Sequence, residues 1–189
     1  MKKGLLVIAV LALVVIAIFG FYISVKNSLI TLDEAAGAAW SEIDNQLQRR
    51  SDLIPNFVNT VKGYAAHEEQ LFTEIAEARS RLAGAATVEQ KAAGYNAMES
   101  ALSRLLVVVE QYPELKAGEN FRALQDELAG TENRIAVARN RYNETIRNFN
   151  ARIRTFPGSL FAGGMGFVPR QYFEIAESAR TLPVVDFGN

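Results

Sequence analysis

Twenty-two consecutive uncharged residues, 4–25, constrain this chain more than any other feature of its sequence. A helix of that length spans about 33 Å, which matches the hydrocarbon core of a bilayer. A cleaved signal peptide would have a shorter apolar region followed by a small-residue cleavage site, and residues 20–26 offer no such site. Near its C-terminal end the run carries aromatic side chains that favour a membrane interface, Phe19, Phe21 and Tyr22. We therefore predict that residues 4–25 anchor the chain in a lipid bilayer.

The lysines that flank this run indicate its orientation. Lys2, Lys3 and the amino terminus outweigh Lys26, and the more positive side of a membrane span stays in the cytoplasm. We expect a single-pass protein whose N-terminus is cytoplasmic and whose remaining residues lie on the other side of the membrane.

Beyond the apolar run, hydrophobic residues recur every three or four positions, which is typical of amphipathic helices. We predict a long first helix that reaches Leu82, a second from Val88 that stops before Pro113, and a third from Glu119 to Phe156. The third follows a heptad seam with one four-residue insertion. Its apolar positions are Phe121, Leu124, Leu128, Thr131, Ile135, Ala138, Tyr142, Ile146, Phe149, Ile153 and Phe156.

These patterns predict an all-α protein. An N-terminal transmembrane helix would continue into a long antiparallel helical bundle, coiled-coil-like and of about four helices. We place the anchor in residues 1–26 and the bundle in residues 27–157. Residues 158–189 would form a Gly-rich apolar loop, a short helix after Pro169 and an extended tail. A first helix of this length favours lateral association, so we expect a homo-oligomer.

One proline interrupts the first helical pattern. Pro55 has no N–H to bond the Ser51 carbonyl, and its ring clashes with that carbonyl. Asp52 or Ser51 can cap the turn that restarts there. We therefore predict a helix kink or a brief break near Ser51, with Arg49 and Arg50 at the end of the first half, where cations suit the helix dipole.

Composition argues against several classes of site. The chain has no cysteine, and its single histidine, His67, has Leu71 where a zinc-protease helix needs a second histidine. No nucleophile signature such as G-x-S-x-G accompanies it. Without the three lysines that flank the apolar run, 17 of the 20 basic residues remain against 21 acidic ones, which gives no footprint for nucleic acid. We expect no catalytic residue, cofactor, metal site or nucleic-acid partner.

Two asparagines stand beside the heptad seam. Asn143 and Asn150 are seven residues apart and so lie on one face of the third helix, although asparagine is a poor helix former. They could bond a neighbouring helix and fix its register, or they could line a polar pocket for a ligand. Both interpretations remain open.

Two apolar segments pose a choice between burial and contact with a partner. Leu105, Leu106, Val107, Val108 and Val109 are apolar on every face of a helix, so they are buried in the bundle or docked on another subunit. The same choice, with lipid as a third option, applies to four large side chains of the Gly-rich loop, Leu160, Phe161, Met165 and Phe167.

Several stretches resemble the LemA family of bacterial membrane-anchored proteins. They are "AWSEIDNQLQRRSDLIPNFVNTVKGYAAHE" at 39–68, "AR" at 78–79, "NFRALQDELAGTENRIAVARNRYNETIRNFN" at 120–150, "FP" at 156–157 and "YFE" at 172–174. The resemblance implies an N-terminal anchor, an antiparallel helical bundle and no established enzymatic activity. It also implies a loose link to envelope functions, with one relative that takes part in magnetosome membrane formation.

The patterns and the resemblance together favour a non-enzymatic scaffold or adaptor in the bacterial inner membrane. It would act through helix contacts with copies of itself or with an envelope membrane protein, in membrane organisation or remodelling. The alternative is a membrane-anchored sensor that binds a small ligand within the bundle.

Overall fold

The structure, a computed structural model, describes residues 2–175. Every regular element in that range is helical, which confirms the all-α prediction. The elements are α1 (Lys2–Lys62), α2 (Glu69–Gly84), α3 (Val88–Val109), α4 (Pro113–Ala117), α5 (Glu119–Arg154) and α6 (Gly158–Phe161), followed by a 3-10 turn at Gly163–Met165.

Helix α3 has the bounds that the sequence predicts because local signals mark both of its ends. Thr87 and Gln90 form a capping box at its start: the Gln90 amide donates to the Thr87 hydroxyl (3.1 Å), and the Gln90 side chain accepts from the Thr87 amide (3.3 Å). Pro113 begins the next helix in the first-turn position that suits a proline.

Helix α5 also follows its prediction closely. It starts at Glu119 and ends at Arg154, just before the seam's last residue, Phe156, which is 74% exposed. All other seam residues are buried except Leu124, which is half-buried. The heptad spacing therefore identified the buried face of α5.

The prediction of one helix as far as Leu82 is wrong, because α1 ends at Lys62 and α2 begins at Glu69. The chain reverses between them: the Lys62 ammonium lies 5.2 Å from the ring centre of Phe72, and Arg79 reaches back to Ser51. The apolar spacing hides this turn because Ala65, within it, is itself fully buried.

Helix α1 continues through Pro55 without interruption. The brief break that we considered near Ser51 is therefore absent between Lys2 and Lys62, and Arg49 and Arg50 lie inside the helix instead of at an end. A bend of the helix axis at Asp52 and Pro55 stays a prediction.

The chain forms two compact units. Of the described residues, the first unit comprises 2–40 and 143–170, and the second comprises 41–142 and 171–175. In the second unit α2 packs on α3, and α1 runs antiparallel to both α2 and α5. In the first unit a small apolar core joins α1, α5 and the segment after α5; it consists of Val25, Leu29, Phe149, Ile153 and Ala162.

The short helix that we predicted after Pro169 does not begin there, since residues 167–175 have no helical turn. Side chains of α5 form hydrogen bonds with backbone groups that would otherwise bond within such a helix. Asn150 bonds both the N–H and the carbonyl of Arg170, and the Tyr142 hydroxyl donates to the carbonyl of Gln171. The rest of the predicted helix and the tail lie outside the described residues.

Candidate functional site

A buried arginine in the second unit joins three helices. Arg50 of α1 is only 5% exposed. Its Nε donates to the Glu99 carboxylate of α3 (2.8 Å), and its Nη1 donates to the Leu128 carbonyl of α5 (2.8 Å). The same Nη1 lies 3.2 Å from the Glu132 carboxylate and 3.5 Å from the Thr131 hydroxyl. Every nitrogen of this guanidinium therefore has an acceptor, since Nη2 lies 2.6 Å from Glu99.

A tyrosine completes this arrangement, which we call the Arg50 cluster: Arg50, Tyr95, Glu99, Thr131 and Glu132. The Tyr95 hydroxyl donates to the Glu132 carboxylate, and the Tyr95 ring lies 6.0 Å from the guanidinium carbon of Arg50. Tyr95 is fully buried. The ring of Phe173, in the segment after α6, has its centre 6.3 Å from that of the Tyr95 ring.

Burial governs the ionisation of two members of the cluster. Burial raises the pKa of Glu99, and the nearby Glu132 carboxylate raises it further, although the positive charge of Arg50 opposes both. Burial also raises the pKa of Tyr95 far above its usual range, and the negative charge of Glu99 adds to that effect. Tyr95 therefore stays protonated and can act only as a donor to Glu132.

This chemistry suits the joining of helices better than catalysis. The cluster holds two carboxylates against one guanidinium, and an arginine keeps its charge at any physiological pH. All three guanidinium nitrogens of Arg50 are already bonded within the protein. Among residues 2–175, no group of three or more histidine, aspartate and glutamate side chains is placed to hold a metal ion.

Sequence reasoning missed this cluster, but a signal for it exists. Arg50 follows Leu47 by three residues and precedes Ile54 by four, so it occupies a position of the buried stripe of α1. Its neighbour Arg49 lies off that stripe and forms an exposed ion pair with Glu127 (2.6 Å). A charged residue at apolar spacing was therefore the sign of a buried ionic cluster.

In the first unit, Asn150 bonds a segment without helical structure instead of a neighbouring helix. Its Nδ2 donates to the Arg170 carbonyl and its Oδ1 accepts from the Arg170 amide, both at 2.9 Å. The Arg170 guanidinium in turn bonds Asp33 of α1 (2.8 Å). Asn143 is half-buried, and its role in register or in a pocket stays a prediction.

The apolar residues at the end of α3 divide between the core and the surface. Leu105 and Val109 are buried, and Val108 is half-buried. Leu106 is 38% exposed and Val107 is 57% exposed. Contact of these residues with a partner or a second copy stays a prediction, now confined to the exposed side of α3.

The Gly-rich loop divides in the same way. Phe161, Met165 and Phe167 pack against the apolar core of the first unit. Leu160, in contrast, is 66% exposed. Of the four loop side chains in the predicted contact set, Leu160 alone is largely free to meet another surface.

One of the two residues that we predicted to shape a kink, Asp52, takes part in a contact with α2. The Arg79 Nε donates to the Ser51 carbonyl (3.0 Å), which is the acceptor that Pro55 cannot serve. The Arg79 Nη2 lies 3.9 Å from Asp52. Beside this contact is a cleft of about 240 Å³, lined by Leu47, Gln48, Ser51, Asp52, Arg79, Leu82, Ala83 and Lys91.

By length and composition, α1 is the one helix among residues 2–175 that is able to cross a membrane. None of its most apolar stretch is buried against the rest of the protein. Both observations agree with a membrane anchor at its N-terminal end.

Comparison with known proteins connects this architecture to a family. The model of the LemA family matches residues 39–187, which confirms the resemblance found in the sequence. A magnetosome protein, MamQ 2 of Paramagnetospirillum magneticum, is 28% identical over 96% of this chain and 75% of the relative. The magnetosome protein MamQ of Magnetospirillum gryphiswaldense is 26% identical over 95% of this chain and 75% of the relative. The protein LemA of Metamycoplasma hominis is 27% identical over 87% of this chain and 76% of the relative.

Proposed function

The chain belongs to the LemA family, and from this premise we propose that it is a non-enzymatic, membrane-anchored scaffold of the bacterial envelope. Residues 4–25 hold it in the inner membrane, and the bundle binds further copies of itself through the exposed side of α3. Similarity to proteins named as magnetosome proteins supports membrane organisation or remodelling as the process that it serves.

One observation carries the scaffold proposal: Leu106 and Val107 are exposed next to the buried Leu105 on α3. Burial of two neighbouring large aliphatic side chains against a partner is favourable, by about 25 cal/mol for each Å² of apolar area covered. The buried charges of the Arg50 cluster bond one another and so stabilise the bundle. Binding of a partner would therefore use the exposed surface of the bundle.

The chain supplies a matched pair of variants for this test. Val107 on α3 is 57% exposed and Val137 on α5 is 59% exposed, so each can be replaced by aspartate at little cost to folding. We expect Val107→Asp to lower the oligomer size of the full chain in nanodiscs or mild detergent, while Val137→Asp leaves it unchanged. A wild-type chain that is strictly monomeric and yields no crosslinked species would contradict the proposal.

We also propose that the N-terminus is cytoplasmic and the bundle extracytoplasmic. Because the chain has no cysteine, single cysteines at Lys3 and at the exposed Glu114 report sidedness directly. A membrane-impermeant maleimide applied to intact spheroplasts should label Glu114→Cys and leave Lys3→Cys unlabelled. The reverse pattern would place the bundle in the cytoplasm.

A second candidate function, a sensor for a small ligand, is favoured by the cleft beside α1 and α2. Its lining combines Arg79 and Lys91, which are paired with Asp52 and Asp44, with apolar Leu47 and Leu82, which suits a small polar ligand with an apolar part. A thermal-shift screen with carboxylate and phosphate metabolites should then reveal a stabilising ligand, and Gln48→Trp, which fills the cleft, should abolish the shift. A screen without any shift would leave the scaffold as the better description.

A further inference from the structure

The segment after α5 packs against the membrane end of α1. In the first unit the ring of Phe161 meets the ring of Tyr22 edge-on, with centroids 5.4 Å apart and planes at 76°. Ala162 lies in one apolar core with Val25 and Ile153. Within the first unit, the segment is therefore fixed to the last turns of the apolar run.

The position of Tyr22 places this contact at the edge of the bilayer. At 1.5 Å per residue, Tyr22 lies about 11 Å from the midpoint of residues 4–25. Half of a typical hydrocarbon core is about 15 Å thick. With residues 4–25 across the membrane, the contact between Phe161 and Tyr22 thus lies about 4 Å inside the boundary between acyl chains and headgroups.

Large apolar side chains of the same segment point away from the protein. Phe156 is 74% exposed, Leu160 66% and Val168 69%. Apolar side chains that project beside a membrane-spanning helix are the kind of contact that interfacial segments make with lipid. The segment therefore has apolar residues packed on the protein and others that are free to meet a different surface.

The charged residues within this segment and the end of α5 before it have one sign. Residues 145–170 contain four arginines and no acidic residue. One of the arginines, Arg170, is paired with Asp33, while Arg154 at the end of α5 and Lys26 after the apolar run are exposed. Basic residues held at a bilayer surface attract anionic headgroups, by about 1 kcal/mol each.

We propose that residues 156–168 form a second membrane contact, which inserts into the headgroup region of the leaflet from which α1 emerges. Phe156, Leu160 and Val168 enter the lipid, and the adjoining Lys26 and Arg154 give preference to anionic phospholipids. The depth of Phe161 and the one-signed charge select a lipid surface as the occupant in place of a second copy of the chain. This inference rests on the anchor of the proposed function but is independent of α3.

The test uses the full chain in nanodiscs, with an environment-sensitive fluorophore on a single introduced cysteine. Leu160→Cys reports on the segment, and Ile30→Cys is the control, because Ile30 is 40% exposed and lies about 12 Å further along α1 than Tyr22. Lipids that carry a quencher on the upper part of an acyl chain should reduce the emission from position 160 at least twofold more than that from position 30. Equal quenching at both positions would overturn the proposal.

A second arm tests the charge preference. Replacing a third of the neutral phosphatidylcholine with phosphatidylglycerol should deepen the quenching at position 160. The double substitution Lys26→Gln with Arg154→Gln should remove that increase, whereas Arg81→Gln, an exposed arginine of α2, should leave it intact. An increase that persists in the double variant would overturn the choice of anionic lipid.

The outcomes also separate this proposal from the proposed function. A chain that does not co-elute with nanodiscs would overturn the anchor and this contact together. A chain that co-elutes but shows no quenching at position 160 would overturn this contact alone. Val107→Asp should alter oligomer size without changing the quenching, because α3 lies in the other unit.

Discussion

The Nε of Arg79 donates to the backbone carbonyl of Ser51 across the contact between α2 and α1, at 3.0 Å. In an uninterrupted helix that carbonyl accepts from the amide four residues later, but this amide belongs to Pro55, which has no hydrogen to donate. Ser51 is 7% exposed, and the hydrogen bond to its carbonyl is partly buried between the two helices. A side chain from another helix therefore supplies the donor that the proline lacks.

Replacement of Arg79 by leucine should destabilise the bundle in a way that depends on Pro55. A buried carbonyl that loses its donor costs about 1–3 kcal/mol. Pro55→Ala restores an amide that can reach the Ser51 carbonyl, so Arg79→Leu should cost far less in that background. Urea denaturation of the four chains of this double-mutant cycle measures the coupling. An equal cost of Arg79→Leu in both backgrounds would show that the carbonyl does not depend on Arg79.

Two adjacent arginines should differ strongly in their contribution to stability. Arg50→Met leaves the carboxylate of Glu99 buried without its cation, which costs about 3–5 kcal/mol. Arg49→Met removes only an exposed pair with Glu127, worth about 0–1 kcal/mol. Chemical denaturation of the two variants gives the comparison directly. Similar losses in both would mean that the Arg50 cluster does not hold the helices together.

The raised pKa of Glu99 predicts a specific pH dependence. The pKa of Glu99 in the folded state lies above its ordinary value of 4.5, so the folded state holds the Glu99 proton more tightly than the unfolded state does. The contribution of this proton to the free energy of unfolding is complete below pH 4.5 and is lost as the pH rises through the raised pKa of the folded state. The variant Glu99→Gln is neutral at every pH, so the free energy of unfolding of the wild type minus that of this variant should fall with rising pH. A difference that stays constant or rises would contradict the shift.

Two glycine-to-alanine substitutions should have opposite effects on the stability of the protein. A Cβ on Gly94 of α3 would lie 2.8 Å from the Cα of Leu82 on α2, so Gly94→Ala must push two packed helices apart. Such overpacking costs about 1–3 kcal/mol. At Gly37 of α1 a Cβ meets nothing within 4 Å, and alanine there should stabilise the helix by about 1 kcal/mol. Thermal unfolding measures both, and stabilisation by both alanines would show that α2 and α3 can separate freely.

The sequence predicted helices best where their ends carry local signals. Thr87 and Pro113 mark the limits of α3, and Pro157 marks the end of α5. The turn between α1 and α2 has no comparable signal, because the buried Ala65 continues the apolar spacing of both helices through it. Apolar periodicity reports which side chains are buried and is silent about the direction of the chain.

Neither helix-end signals nor apolar spacing could predict the Arg50 cluster or the conformation of the segment after Pro169. Each depends on partners that are distant in sequence. Arg50 finds Glu99 and Leu128 from two other helices, and the backbone of Arg170 is held by the side chain of Asn150. Local propensity contains no information on such pairs. Only the apolar spacing around Arg50 gave a hint of what the structure shows.

The bond between Arg79 and Ser51 also limits the order in which this sequence can change. A chain that first exchanges Pro55 for another residue gains an amide for the Ser51 carbonyl, and Arg79 is then free to vary. A chain that first loses Arg79 leaves that carbonyl bare while the proline is still present. Among divergent relatives, arginine at position 79 without proline at position 55 should therefore be commoner than proline without arginine. The loss of the proline should precede the loss of the arginine in evolution.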